Sequence, residues 1–156
     1  MTDTQGSGER LGGERRVTVI EQTLAIIKPD AVMRGLIGRI LARVEEHGFH
    51  VCALKLVHLS KHVAQEFYKV HAQRPFYESL TTYMSSGPVV PILLERENAI
   101  QALREVMGAT DPRQAAPGTI RHAYGENIER NAIHGSDAPE TASVEISFFF
   151  NHLERA

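Results

Sequence analysis

Short β-prone apolar runs alternate along this chain with stretches of helical apolar periodicity, and that alternation restricts the fold more than any single residue does. "TLAII", residues 23–27, is stopped by Lys28-Pro29-Asp30 and reads as a buried strand. Leu36, Ile37, Ile40, Leu41 and Val44 then recur at helical spacing before Gly48, giving an amphipathic helix with a glycine stop. Residues 49–57, FHVCALKLV, give a second strand. Ser60 is placed to cap a helix through about His71, and Pro75 to open another through about Met84. "PVVPILLE", 88–95, reads as a third strand in which Pro91 requires an edge or a bulge. Residues 98–107 form a helix ended by Gly108, with Ile100, Leu103 and Met107 inward. From Gly108 to Arg130 runs a stretch broken by Pro112, Pro117, Gly118 and Gly125, of a length that is usually functional or disordered. A short strand reaching His134 and a helix from Ala138 close the series. The order β-α-β-(αα)-β-α-loop-β-α implies an α+β sandwich of the split βαβ, ferredoxin-like type, an antiparallel four-stranded sheet covered by helices.

With 156 residues, 42% hydrophobic and 23% charged, the chain can bury the core of one soluble domain. We assign residues 1–19 to a flexible N-terminal tail, because the first 17 are rich in glycine and charge and lack the apolar core of a secretory signal. Residues 20–156 form the domain. The net charge of -2 gives no long-range attraction for nucleic acid, and no run approaches the roughly 18 apolar residues of a membrane span. Cys52 is the only cysteine, which rules out an intrachain disulfide and a cysteine zinc site and fits a reducing cytoplasm.

No Walker A run occurs, and no G-x-G-x-x-G follows a strand, so any bound phosphate must rely on side chains. Lys28 stands at a strand end, Arg104 four residues after inward Ile100, and Arg121 in the long loop. Singly, these read equally as a solvated terminus, a snorkelling arginine and a loop-fixing hydrogen-bonder. In "NAIHGSD", 131–137, His134 lies just ahead of Asp137-Ala-Pro-Glu140, a sequence with the form of a capping box, so a helix N-terminus that favours anions would begin beside it. A lone histidine in that setting is more often structural than catalytic.

Taken together, "TLAIIKPDAV", "RPF", "SGPVV", "MGATDP", "APGTIR" and "NAIHGSD" resemble nucleoside diphosphate kinases over about residues 20–150, with no evident insertion or deletion. The resemblance implies transfer of the γ-phosphoryl group of a nucleoside triphosphate such as ATP to a nucleoside diphosphate, by a ping-pong route through a phosphohistidine. By motif position His134 would be the nucleophile, with Glu145 orienting it, Ser136 helping, and Tyr68 hydrogen-bonding nearby. Lys28, Arg104, Thr110, Arg121 and Asn131 would hold phosphates and ribose, while Phe76 would stack on the base and Ile128 would line its other side. Such a base platform implies broad base tolerance. Mg2+ would be bound mainly through the nucleotide phosphates, with no dedicated protein metal site. The resemblance also implies a homo-oligomer built from dimers. The chain stops 22 residues after His134, which favours a tetramer over the hexamer of longer-tailed relatives.

Three competing readings rank lower. Arg121-His122 resembles the Arg-His-Gly motif of histidine phosphatases, but Ala123 replaces the glycine and the pair lies late in the chain. His58 and His62 have metal-ligand spacing, yet Ser60 starts a helix between them. A nucleotide-sensing module without activity would not need every catalytic residue, and all are present.

Overall fold

The computed structural model describes residues 18–156. The tail expected over residues 1–19 therefore lies almost wholly outside the described residues. β1 spans Ile20–Ile27, and its last five residues are all buried. An uninterrupted apolar run is what a strand covered on both faces requires. α1 (Pro29–Met33) follows at once, with Pro29 in its first turn, and α2 (Ile37–Glu46) buries Ile40 and Val44. β2 (His50–Leu54) and the two-residue β3 (Val57–His58) replace the single second strand expected from residues 49–57. α3 (Lys61–Phe67) starts at Ser60, whose hydroxyl accepts from the Val63 N–H as the sequence predicts. α4 (Tyr77–Met84) begins after Phe76, two residues later than Pro75 suggested. β4 covers Pro88–Glu97, and α5 (Ala99–Met107) ends at Gly108 with Ile100, Leu103 and Met107 buried. The long stretch beyond Gly108 is ordered by a 3-10 turn at Pro112–Gln114 and by α6 (Ile120–Tyr124). β5 (Ile133–Gly135) and α7 (Pro139–Phe149) complete the domain.

The sheet order is β2-β4-β1-β5, with β3 also paired to β4 and every pairing antiparallel. This is the ferredoxin-like arrangement, enlarged by β3. β4 is a central strand, so Pro91 does not lie on an edge. It falls between the end of the β2 ladder at Leu54↔Ile92 and the start of the β3 ladder at Val57↔Val89. The Pro91 carbonyl accepts from the Lys55 N–H at 3.2 Å, in register with the β2 ladder, so the donor that proline lacks is that of the reciprocal bond of this pair, and the β2 ladder ends there.

Successive residues of β1 serve opposite layers. Ala25 and Ile27 join Ile40, Val44, Leu103 and Ile120 under α2, α5 and α6. Leu24 and Ile26 join Ala64, Tyr83, Ile146 and Phe149 under α3, α4 and α7. The short β5 is held against β1 with Ile26 opposite His134. That pairing sets the C-terminal end of β1, and Lys28 just beyond it, beside the histidine.

Candidate active site

A cleft opens where β1 and β5 end, and two connected lobes of about 360 and 340 Å³ share Tyr68, Phe76, Thr110, Arg121 and His134 as walls. Arg104 lines the first lobe, and Lys28, Ile128 and Asn131 line the second. The structure thus gathers nearly every residue singled out from the sequence, drawn from six separate parts of the chain. Glu145 and Ser136 lie outside the cleft walls.

His134 projects from β5 towards the α3/α7 layer. Its Nε2 is hydrogen-bonded to a Glu145 carboxylate oxygen, and the Phe67 ring meets it edge-on at 5.6 Å. A carboxylate can only accept, so in the neutral ring this pairing puts the proton on Nε2 and leaves Nδ1 its lone pair. Nδ1 makes no hydrogen bond among the described residues. Tyr68 is buried, with its ring edge-on to His134 at 6.2 Å. Burial, reinforced by the nearby Glu145 charge, raises its phenol above the ordinary tyrosine range, so it remains a neutral O–H. Tyr68 meets the histidine through this ring contact, and its hydroxyl makes no hydrogen bond among the described residues. The Ser136 hydroxyl is buried and has no hydrogen-bond partner among the described residues, while its backbone N–H donates to the Leu24 carbonyl.

Lys28 is 6% exposed, and its Nζ donates to the Glu129 carbonyl at 2.6 Å and to Asn131 Oδ1 at 2.9 Å. Burial pulls this ammonium down to about 8; Asp30 and Glu129 work against that fall, and Arg121 adds to it. The Asn131 amide nitrogen donates to the carbonyls of Thr110 and Ile128, so one side chain ties three cleft segments together. Arg121 donates to the carbonyls of Gly108 at 3.0 Å and Ile133 at 2.8 Å, while its Nε is buried without a partner. Desolvation and neighbouring Arg104 push it down to about 10. Arg104 itself is half-exposed and paired with Asp137 at 2.8 Å. Phe76, 48% exposed, lies against His71 with centroids 5.5 Å apart, and Ile128 is largely exposed at the second lobe.

The capping box expected at Asp137-Ala-Pro-Glu140 does not form: the N-cap is one residue later, at an alanine with no side-chain acceptor, and only the reciprocal half is made. Ala138 is the N-cap of α7, its N–H donates to Thr141 Oγ1 at 3.0 Å, and Asp137 is occupied by Arg104 instead. His122 faces away from the cleft, with Nδ1 on the Ala115 carbonyl. His58 bonds the Ser85 carbonyl, and no three His, Cys, Asp or Glu side chains gather as a metal site among the described residues. Sequence reading missed His71, Glu129 and Asp137 in the cleft walls. None belongs to a periodic or paired pattern, so only the folded chain brings them there.

The family model for nucleoside diphosphate kinase matches residues 21–155. The chain belongs to the nucleoside diphosphate kinase family. A nucleoside diphosphate kinase of Nitratidesulfovibrio vulgaris is 58% identical over 136 residues, covering 87% of this chain and 98% of the relative. The Aquifex aeolicus enzyme has a solved structure that superposes with a TM-score of 0.86 at 47% identity, covering 88% of this chain and all of that one. A halophilic enzyme from Halobacterium salinarum, solved in complex with CDP, gives 0.84 at 40% identity over 87% of this chain and 91% of that one. The activity is that of a nucleoside diphosphate kinase, a phosphotransferase with nucleotide substrates. Nucleotide kinases of this kind generally need a divalent cation. No helix among the described residues is long and apolar enough to cross a membrane.

Proposed function

We propose that the chain transfers the γ-phosphoryl group of ATP to other nucleoside diphosphates in two half-reactions, with His134 as the covalent carrier. The observation that carries this reading is the division of labour on the imidazole, Nε2 held by Glu145 and Nδ1 without a partner among the described residues, at a cleft rich in cations. The Nδ1 lone pair forms a bond to the γ-phosphorus as the bond to the β,γ-bridging oxygen breaks, and the diphosphate leaves. A terminal phosphate oxygen of the second diphosphate then takes the phosphoryl group and restores the neutral ring. Glu145 holds the Nε2 proton throughout and stabilises the positive charge on the phosphorylated ring. Lys28, Arg104 and Arg121 offset phosphate charge, and Thr110 and Asn131 position the phosphates and ribose. Phe76 supplies a π-face to the base with Ile128 opposite, a platform indifferent to base identity, which supports broad acceptance. Tyr68 packs against the histidine and keeps its orientation.

The cleft donors suit phosphates rather than a bare ion, since Lys28, Arg104 and Arg121 outnumber the lining carboxylates Asp137 and Glu129. Mg2+ would therefore be held by the β- and γ-phosphates, where it would neutralise charge that develops during transfer. A single cysteine outside any disulfide suits a reducing cytoplasm, our proposed location. We further propose a homo-oligomer built from dimers, with a tetramer favoured.

Initial-rate kinetics at varied ATP and varied acceptor diphosphate test the two-step route. Parallel double-reciprocal lines, with label from γ-labelled ATP passing to GDP and CDP alike, are expected. Intersecting lines would mean a ternary complex and no covalent carrier.

A further inference from the structure

Where Lys28 and Asn131 meet, the cleft wall hangs on one peptide in an uncommon conformation. Ala132 has φ 75°, is fully buried, and sits between Asn131 and the strand that carries His134. A residue with a Cβ avoids the left-handed region unless its surroundings over-determine it. Here the surroundings do so through the peptide groups on both sides of the residue. The Lys28 N–H donates to the Ala132 carbonyl at 2.9 Å, and the Ala132 N–H donates to Asp30 Oδ2 at 3.1 Å. Asp30 is 3% exposed on α1, and its other carboxylate oxygen accepts from the Tyr83 hydroxyl of α4. That hydroxyl in turn accepts the Asp30 backbone N–H at 2.9 Å. Burial, followed by donation to Asp30, pushes the Tyr83 phenol far up, so it stays a donor at any working pH.

We propose that Asp30, locked by Tyr83, is a positioning residue for phosphoryl transfer: its carboxylate clamps the Ala132 peptide and so places Asn131, which orients Lys28, and the strand that presents His134. The proposal rests on the roles given above to Lys28 and His134. Asp30 lines neither lobe of the cleft, so it acts through these neighbours. It also bears on the Lys28 charge. The groups facing that ammonium are Asp30 on α1, Glu129 and Asn131 ahead of β5, Arg121 on α6, and the Tyr83 ring of α4 at 5.5 Å, which Arg130 also covers. Asp30 and Glu129 favour the charged form, whereas burial and Arg121 oppose it. An ordinary structural carboxylate would affect stability alone.

The test compares Asp30→Ala and Asp30→Asn, each in the full chain and in an Ala132→Gly background, with His134→Ala as a control. The readouts are the single-turnover rate of phosphoenzyme formation from ATP and Mg2+, the KM for ATP, the pH profile of kcat/KM and Tm. Asp30→Ala should slow phosphoenzyme formation on the order of tenfold to a hundredfold, with a smaller change in KM. Asp30→Asn keeps an acceptor for the Ala132 N–H, so it should retain more of the rate. With the charge gone, its alkaline fall in kcat/KM should move to lower pH. Glycine adopts positive φ without a clamp, so Asp30→Ala should cost several-fold less in the Ala132→Gly background. A lower Tm with an unchanged phosphoenzyme rate in folded Asp30→Ala, or an equal rate loss in both backgrounds, would overturn the proposal. Turnover retained by His134→Ala would instead overturn the site reading beneath it, so the two failures are separable.

Discussion

Arg121 donates to the carbonyls of Gly108 and Ile133, whereas Arg104 reaches, among the described residues, only the exposed carboxylate of Asp137, so two arginines with the same proposed task differ in what else they hold. Removing Arg104 should lower transfer by about 3–4 kcal/mol of barrier. A half-exposed ion pair contributes little to folding, so its Tm should barely change. Arg121→Ala should lower both, because it strips hydrogen bonds from two carbonyls inside the domain, at about 1–3 kcal/mol where each is left unsatisfied. Parallel kinetics and thermal melts separate the two; an Arg121 variant with full Tm and reduced rate would mean its backbone bonds are incidental. Lys28 gives a second prediction. Its ammonium is held near 8 when folded, against an ordinary 10.5, so the unfolded chain binds more protons between those values. Stability from this group therefore rises as pH climbs from about 8 towards 10.5, and it is absent below. Urea unfolding across that range should show a steeper rise in wild type than in Lys28→Met, and identical slopes would contradict the burial argument.

Gly108 joins α5 to the stretch leading to α6, and its carbonyl accepts from Arg121. Its φ of 85° with ψ of -179° is a region for glycine alone, and an added Cβ would lie 2.5 Å from Thr119 Oγ1. Gly108→Ala should destabilise the fold by about 1–3 kcal/mol and slow transfer by displacing Arg121. Calorimetry with activity assays would check both, and an unaffected melt would refute the strain. The elements built on local signals were legible beforehand: the Ser60 cap, the Gly108 stop, the inward face of α5 and the apolar run of β1 all formed as read. Others depended on tertiary contacts. α6 is only five residues long, capped by Thr119 and pinned through Arg121, so no periodic pattern announces it. The α7 N-cap is Ala138 rather than Asp137, and Asp137 pairs with Arg104, a partner distant in sequence that a local motif does not reveal. Within the site, motif positions marked the cleft walls, but the chain alone does not disclose that Ser136 Oγ lacks a partner or that Asp30 holds the Ala132 peptide.

At the scale of the molecule, the C-terminal run of phenylalanines divides as strand and helix geometry require. Phe149 and Phe150 are buried, while Phe148 remains 40% exposed with its ring against Phe67. β2 forms one edge of the sheet, and the final residue reaches it through the Ala156 N–H and the Cys52 carbonyl. Leu54 and Leu56 nearby, and Val144 on α7, are also exposed. Such surface favours self-association, and light scattering over a dilution series should report a multimer of the 17.3 kDa chain. A fully active monomer would sink that proposal. The central claim is chemical, and the most direct measurement is the site of the covalent phosphate. After brief incubation with γ-labelled ATP and Mg2+, the protein should carry one acid-labile, base-stable phosphoryl group on Nδ1 of His134. The label should vanish in His134→Ala, persist in His122→Ala, and leave on addition of a nucleoside diphosphate. Label mapped to any other residue, or undiminished in His134→Ala, would contradict the account.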